Sequence, residues 1–122
     1  MINLKDYIDQ QINEEKQPIY NSSNIKVYGG DHFIDRKFDR NIDRNIIAKT
    51  IKGFERKILK AIEDNNFSEN KEVVLINKNT KPYLNIPLHY VGYKNNIHII
   101  VIKTIMYKMN YKTFSYTIIG YV

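Results

Sequence analysis

The stretch Ile97–Tyr107, IHIIVIKTIMY, is the most strand-like part of the chain. Side chains alternate between the two sides of a strand. One side would carry Ile97, Ile99, Val101 and Ile105, and the other would carry Ile100, Ile102 and Met106. Because both sides are largely apolar, we expect a strand that is covered on both faces, as at the centre of a sheet.

The segments around this strand predict further strands. They are Glu72–Asn77, Tyr83–Val91 and Lys112–Val122, with a short edge strand at Ile25–Tyr28. Pro87 has no N–H for a sheet ladder, so it implies an edge position or a bulge in its strand. The connections after residue 71 are short, which favours an antiparallel meander of four strands. A hairpin tip at Asn95-Asn96 would place His89 opposite Ile102, on the same face as His98.

Helical patterns precede the strands. Residues 1–15 predict a short amphipathic helix, and Asp31–Arg40 predicts a second helix with Asp31 as its N-cap. A longer helix is expected from about Arg44 to Asp64, with Asp43 as N-cap. Its apolar stripe is Ile47, Ile51, Phe54, Ile58 and Ile62, widened by Ile46 and Leu59, and Gly53 interrupts it.

Helices followed by strands indicate the α+β class: N-terminal helices packed on a four-stranded antiparallel sheet. The length of 122 residues allows one domain with its own core. We divide the single domain 1–122 into an N-terminal helix and connector, 1–24, and a helix–helix–sheet core, 25–122.

The composition narrows the class of protein. The chain has no cysteine, which excludes disulfides and thiolate chemistry. It has no apolar run long enough to span a membrane, and its polar N-terminus does not resemble a secretory signal, so we expect a cytoplasmic protein. The net charge is +6, and Glu72 is the only acidic residue after position 70. A basic second half suits a polyanion such as RNA or DNA, although a lysine-rich solvated surface is the simpler explanation.

One constellation of side chains suggests chemistry. His32, Arg36 and Arg40 recur every four residues and would share one edge of the helix 31–40. The helix dipole would favour a neutral His32 imidazole, which can accept a proton. Arg36 could hold a phosphate by two parallel hydrogen bonds. The alternative is that His32 caps or packs and that Arg36 pairs with a neighbouring aspartate.

The other two histidines lie in the predicted sheet. His89 and His98 would be about 13 Å apart along the strands, which is too far for one metal ion, so a zinc site is not expected. His98 is more often a satisfied, partly buried side chain than a catalyst. Tyrosines spread over the strands suit a half-buried sheet, and one or two exposed rings could stack on unpaired bases.

The order of elements and the run from His32 to Asp43 resemble small phage and toxin proteins of the RelE/barnase-like ribonuclease superfamily. The similarity extends to T-even phage endoribonucleases that cleave early messages and to BrnT-like toxins. It rests on His32-Phe33-Ile34-Asp35-Arg36, on Arg40-Asn41-Ile42-Asp43 and on the strand Ile100–Tyr107. The phage nucleases have a second functional histidine, and the corresponding position falls near Lys52.

This resemblance implies a metal-independent endoribonuclease that leaves a 2′,3′-cyclic phosphate and needs no cofactor. His32 would act as base or acid and Arg36 would stabilise the phosphorane. Arg40, Lys52, His98 and Lys103 would bind RNA, expected to be mRNA. A lysine is a poor replacement for a second histidine. The alternatives are therefore a non-catalytic RNA-binding protein of the same fold and a phage-type protein that binds an acidic host protein.

Overall fold

The computed structural model describes residues 17–30, 43–67, 72–110 and 116–122. These residues form one helix, α1 (Arg44–Glu63), and seven strands. The strands are β1 (Tyr20–Asn21), β2 (Ile25–Gly29), β3 (Val73–Asn77), β4 (Leu84–Lys94), β5 (Ile97–Ile102), β6 (Met106–Tyr107) and β7 (Tyr116–Gly120). The helices predicted at 1–15 and 31–40 lie outside the described residues.

The strands form one mixed sheet in the order β1-β2-β5-β4-β3-β7, and β6 pairs with β4. The pairs β2–β5 and β3–β7 are parallel, whereas the other pairs are antiparallel. The predicted α+β fold, with N-terminal helices on a four-stranded antiparallel RelE/barnase-like sheet, is therefore wrong. The meander is right only for β3-β4-β5, since alternation identifies a strand but not its distant partners.

The first part of the predicted central strand is buried on both faces, as expected, but Ile105 packs in the core with Ile100 and Ile102 rather than on the face of Ile99 and Val101. Ile99, Ile100, Val101 and Ile102 are all at most 6% exposed, so both faces of β5 are buried. The segment Ile25–Gly29 is not an edge strand, because it lies between β1 and β5. Its buried residues Ile25 and Val27 face α1 and belong to the main core.

Helix α1 has the predicted bounds and cap, but Ile46, which was expected to widen the buried stripe, is 38% exposed. The Asp43 side chain accepts a hydrogen bond from the Asn45 amide at 2.8 Å and caps the N-terminus. The buried stripe is Ile47, Thr50, Ile51, Phe54, Ile58 and Ala61, and it packs on one face of the sheet. A buried hydrogen bond joins the two layers, since Asn77 Nδ2 donates to Thr50 Oγ1 at 3.0 Å. We call the face covered by α1 the inner face.

The β4–β5 hairpin turns at Asn95-Asn96, as predicted. Both asparagines have positive φ values, 54° and 65°, as a two-residue type I′ turn requires. The ladder shifts register between Tyr90 and Gly92, which places one extra residue in β4. His89 therefore pairs with Val101 rather than Ile102 and lies on the outer face, opposite to His98.

Pro87 lies in an interior strand, because β4 runs between β3 and β5. Of the two predicted alternatives, the edge position is therefore wrong, whereas β4 does contain a bulge, between Tyr90 and Gly92. The Pro87 carbonyl accepts a hydrogen bond from the Lys103 amide at 3.0 Å, but the proline ring nitrogen cannot return one. Pairing along this side of β4 stops at Ile102 and resumes at Met106. The predicted strand Ile97–Tyr107 is thus divided into β5 and β6.

Candidate nucleic-acid interface

A groove lies between α1 and the edge strand β7. Its volume is about 420 Å³. It is lined by Arg56, Lys57 and Lys60 from the helix and by Tyr116, Thr117, Ile118 and Ile119 from the strand. We call it the α1–β7 groove. One wall is cationic and the other is aromatic and aliphatic.

The local sequence explains the shape of the cationic wall. Residues four apart share one side of a helix, so Arg56 and Lys60 lie one above the other. Lys57 extends over the ring of Phe54, with Nζ 5.9 Å from the ring centroid. A side chain at Gly120 would crowd this contact, since a Cβ there would be 3.3 Å from Phe54 Cε1 and 3.8 Å from Lys57 Nζ. Gly120 therefore leaves room for the lysine head group beside β7.

The cations of the groove differ in their partners. Lys60 Nζ lies 3.3 Å from Asp64 Oδ1, and this hydrogen bond raises the pKa of Lys60. The other ion pair among residues 17–30, 43–67, 72–110 and 116–122 joins Lys103 to Glu72. Arg56 and Lys57 thus have no carboxylate partner within the described part of the chain. Two uncompensated positive charges at a groove suit a phosphate backbone.

A row of alternating tyrosines and lysines lies near the C-terminal end of β7. The Lys78 ammonium is 5.7 Å from the ring centroid of Tyr121 and 5.9 Å from that of Tyr83. The Lys81 ammonium is 5.0 Å from the Tyr83 ring. Tyr121 is 70% exposed. We call these four residues the Lys–Tyr row; its cations and open ring match the phosphates and unpaired bases of a single strand.

The groove and the row are connected through β7. The Lys78 amide donates to the Gly120 carbonyl at 2.7 Å, so the row begins where β7 ends. Asn79 Nδ2 donates to the Val122 carbonyl at 3.1 Å, and the Val122 side chain packs against Gly53 of α1. From Tyr116 to Tyr121 the strand spans roughly 17 Å at strand rise. The two features therefore adjoin along the edge strand β7. Strand alternation places Tyr116 on the inner face with the buried Ile118 and Tyr121 towards the outer face, so a ligand that contacts both would pass around this edge.

The structure separates the predicted RNA-binding residues. Lys52 is exposed on α1, one turn before Arg56, so it lies beside the groove without lining it. Lys103 is paired with Glu72 at 3.4 Å, which offsets its charge. His98 lies on β5, three strand positions from β7, or roughly 14 Å. The structure does not bring His98 and Lys103 to the groove.

His98 belongs to an aromatic cluster instead. Its Nδ1 is 2.8 Å from the Tyr90 hydroxyl, and its ring centroid lies 4.7 Å from that of Tyr93. Burial lowers the pKa of His98, and burial also raises the pKa of Tyr90. The tyrosine hydroxyl and Nδ1 share a hydrogen bond whose direction depends on the tautomer of the imidazole.

The two sheet histidines make stability depend on pH. Burial lowers the pKa of His89 as well, with a further contribution from the Lys103 charge. Unfolded histidine has a pKa of about 6.5, so below this pH the unfolded chain binds more protons than the folded one. We expect the free energy of unfolding to fall as the pH drops below 6.5. Denaturant titrations at pH 7.5 and 5.5 should show that the free energy of unfolding falls less between these pH values for His98→Gln than for the wild type. An equal loss would contradict the role of His98.

The predicted catalytic pair His32 and Arg36, and the RNA-binding candidate Arg40, lie outside the described residues. Their roles stay predictions. Among the described residues, no three metal-ligating side chains come together. None of the described segments forms a helix with the length and apolarity needed to cross a bilayer.

Most residues of the candidate interface were not predicted from the sequence. In the sequence, the positions of Arg56, Lys57 and Lys60 are typical of the solvated surface of a helix, and Tyr121 falls in the predicted strand Lys112–Val122. The available signals were the apolar stripe of α1, which fixes where its cations point, and the clustering of Lys78, Lys81 and Tyr83 around one turn.

No family model matches the sequence, and neither a curated protein nor a solved structure matches it.

Proposed function

We propose that this protein binds single-stranded RNA along the α1–β7 groove and the Lys–Tyr row. The observation that supports the proposal most is that Arg56 and Lys57, which have no carboxylate partner among the described residues, and the exposed rings of Tyr116 and Tyr121 all lie along the edge strand β7. Single strands present both phosphates and stackable bases, and proteins bind them with cationic grooves and aromatic platforms. Specific recognition of RNA generally uses such unpaired segments.

We expect the cations of the surface to contact the RNA phosphates and the tyrosines to contact the bases. Arg56 and Lys57 are the cations best placed for phosphates, because neither is held by a carboxylate of the described residues. Tyr116 and Tyr121 are the rings best placed for stacking, at 45% and 70% exposure. Stacking of a base on an aromatic side chain contributes about 1–3 kcal/mol. A duplex hides its bases, so it would use the cations alone.

Binding of a fluorescent 12-nucleotide RNA, measured by anisotropy between 50 and 200 mM salt, tests the proposal. We expect the single strand to bind more tightly than a duplex of the same sequence and to lose affinity steadily as salt rises. Single-stranded DNA serves as the comparison for the 2′-hydroxyl. Equal affinity for single strand and duplex, or no salt dependence, would contradict the proposal.

Cleavage of the bound RNA is the activity that the sequence predicts for His32 and Arg36. The reaction would need no metal: the 2′-hydroxyl attacks the adjacent phosphorus, its proton leaves to a base, and the 5′-oxygen departs with a proton from an acid. Mass spectrometry after incubation in EDTA would detect the 2′,3′-cyclic phosphate. We expect His32→Ala to abolish these products without loss of RNA affinity. Binding without any products would identify the non-catalytic alternative.

A further inference from the structure

A second groove lies on the outer face of the sheet, near the opposite edge from β7. Its volume is about 240 Å³, and we call it the β2–β5 groove. It is lined by Lys26 and Tyr28 of β2, Lys94 and Asn95 of the hairpin, and Ile97 and Ile99 of β5. None of these residues was predicted as a site residue from the sequence, and none belongs to the proposed RNA-binding surface.

The register of three strands builds this groove. Lys26 pairs with Ile99, and Lys94 pairs with Ile97. Paired residues share a face, so both lysines lie beside isoleucines that form the floor, where Ile99 is only 6% exposed. The two lysine Cα atoms are roughly 12 Å apart by strand spacing and rise. Their long side chains can therefore reach one anionic group from two sides.

The charge of the groove is unbalanced. Neither Lys26 nor Lys94 forms an ion pair with the described residues, whose two ion pairs are Lys60–Asp64 and Lys103–Glu72. Two ammonium groups beside an apolar floor repel each other, and an anion between them removes that repulsion. Tyr28 adds an aromatic side chain with a hydroxyl group at the same place. A ligand that fits should combine a negative group with a planar apolar one.

We propose that the β2–β5 groove binds a single nucleotide, with its phosphate between Lys26 and Lys94 and its base against Tyr28 and the isoleucine floor. The groove is smaller than a usual drug-sized pocket, which suits one nucleotide better than a stacked pair. The nucleotide is either a free nucleoside monophosphate or the phosphorylated end of an RNA. The second source rests on the proposed RNA-binding function, whereas the first does not.

Titration of uridine 5′-monophosphate followed by NMR tests the site. We expect saturable shifts of the Tyr28, Ile97 and Ile99 signals, and at least tenfold weaker binding of uridine, which lacks the phosphate. Lys26→Glu/Lys94→Glu should weaken binding of the monophosphate at least tenfold, and Lys26→Ala/Lys94→Ala should weaken it less. Arg56→Gln/Lys57→Gln, which alters only the α1–β7 groove, should leave it unchanged. No shifts in this groove at 10 mM monophosphate, or equal binding by the wild type and the glutamate variant, would overturn the proposal.

A second arm identifies the source of the nucleotide. A six-nucleotide RNA with a 5′-phosphate is compared with the same RNA bearing a 5′-hydroxyl. Tighter binding of the phosphorylated RNA that disappears in Lys26→Glu/Lys94→Glu supports the RNA end as the ligand. Equal binding of the two RNAs, together with saturable monophosphate binding, supports the free nucleotide. Failure of both RNAs to bind, with the monophosphate still bound, would contradict only the proposed RNA-binding function.

Discussion

Arg56→Gln/Lys57→Gln is expected to weaken binding of single-stranded RNA by roughly 10–100-fold at moderate salt, or about 1.4–2.7 kcal/mol. Both cations line the α1–β7 groove without a carboxylate partner among the described residues, so each is available to a phosphate. Each phosphate contact with a single strand contributes about 0.7 to the slope of log affinity against log salt. Loss of two contacts should therefore flatten that slope by about 1.4, as measured by anisotropy at several salt concentrations.

The matched control is Lys103→Glu, which removes the same net charge at a distant place. Lys103 is already paired with Glu72, and it lies away from the groove. We expect its effect on RNA affinity to be less than about threefold, from long-range electrostatics alone. Similar losses in the two variants would mean that net charge, rather than the groove, determines binding.

Asn85→Asp is expected to lower the free energy of unfolding by roughly 3–5 kcal/mol at neutral pH. Asn85 is fully buried, and its Nδ2 donates to the carbonyls of Tyr83 and Lys108 at 3.0 and 2.9 Å. Asn85 therefore links the backbone of Lys108, just after β6, to the backbone of Tyr83 in the Lys–Tyr row. A carboxylate would face those carbonyl oxygens with no proton to donate.

The pH dependence of stability distinguishes the effect of the buried charge in Asn85→Asp from the effect of the lost hydrogen bonds. Burial against carbonyl oxygens should raise the pKa of the introduced carboxyl group above the value in the unfolded chain. The folded state then binds more protons, so stability relative to the wild type should fall as the pH rises from 4 to 7. Asn85→Ala, which loses the hydrogen bonds without adding charge, should cost about 1–3 kcal/mol with no such trend. Chemical denaturation at several pH values measures the free energy of unfolding of both variants. If stability depended on pH in the same way for Asn85→Asp and Asn85→Ala, the buried charge would not be the cause.

The sequence predicts the elements of this fold better than their arrangement. Helix α1 could be placed because its cap, Asp43, and its stripe are local signals, and β5 because both of its faces are apolar. The parallel partners of β5 and β3 depend on contacts between residues far apart in the chain. Pro87 predicts a bulge in its strand as one of two alternatives, but it does not predict that the bulge lies between Tyr90 and Gly92, where it moves His89 to the opposite face of the sheet.

The residue types of the proposed RNA-binding surface were likewise easier to predict from the sequence than their arrangement. The excess of lysine after residue 70 predicts a basic face in the second half of the chain, but the cations of the α1–β7 groove, Arg56, Lys57 and Lys60, come before residue 70, and the sequence does not show which cations are paired. Lys103 looks as available as Lys78 in the sequence, whereas in the structure one is held by Glu72 and the other lies between two tyrosine rings. Tyr116 lies beside the cations of α1 only because β7 is adjacent to that helix, and Tyr121 lies beside Lys78 only because β7 pairs with β3.

The central claim is that RNA lies along β7. Chemical-shift mapping of the labelled protein with a saturating single-stranded RNA tests it most directly. We expect the largest shifts at Arg56 and Lys57 and in the rings of Tyr116 and Tyr121, with little change in the His98–Tyr90 pair. Saturation of RNA binding with these signals unmoved and shifts concentrated around His98 would contradict it.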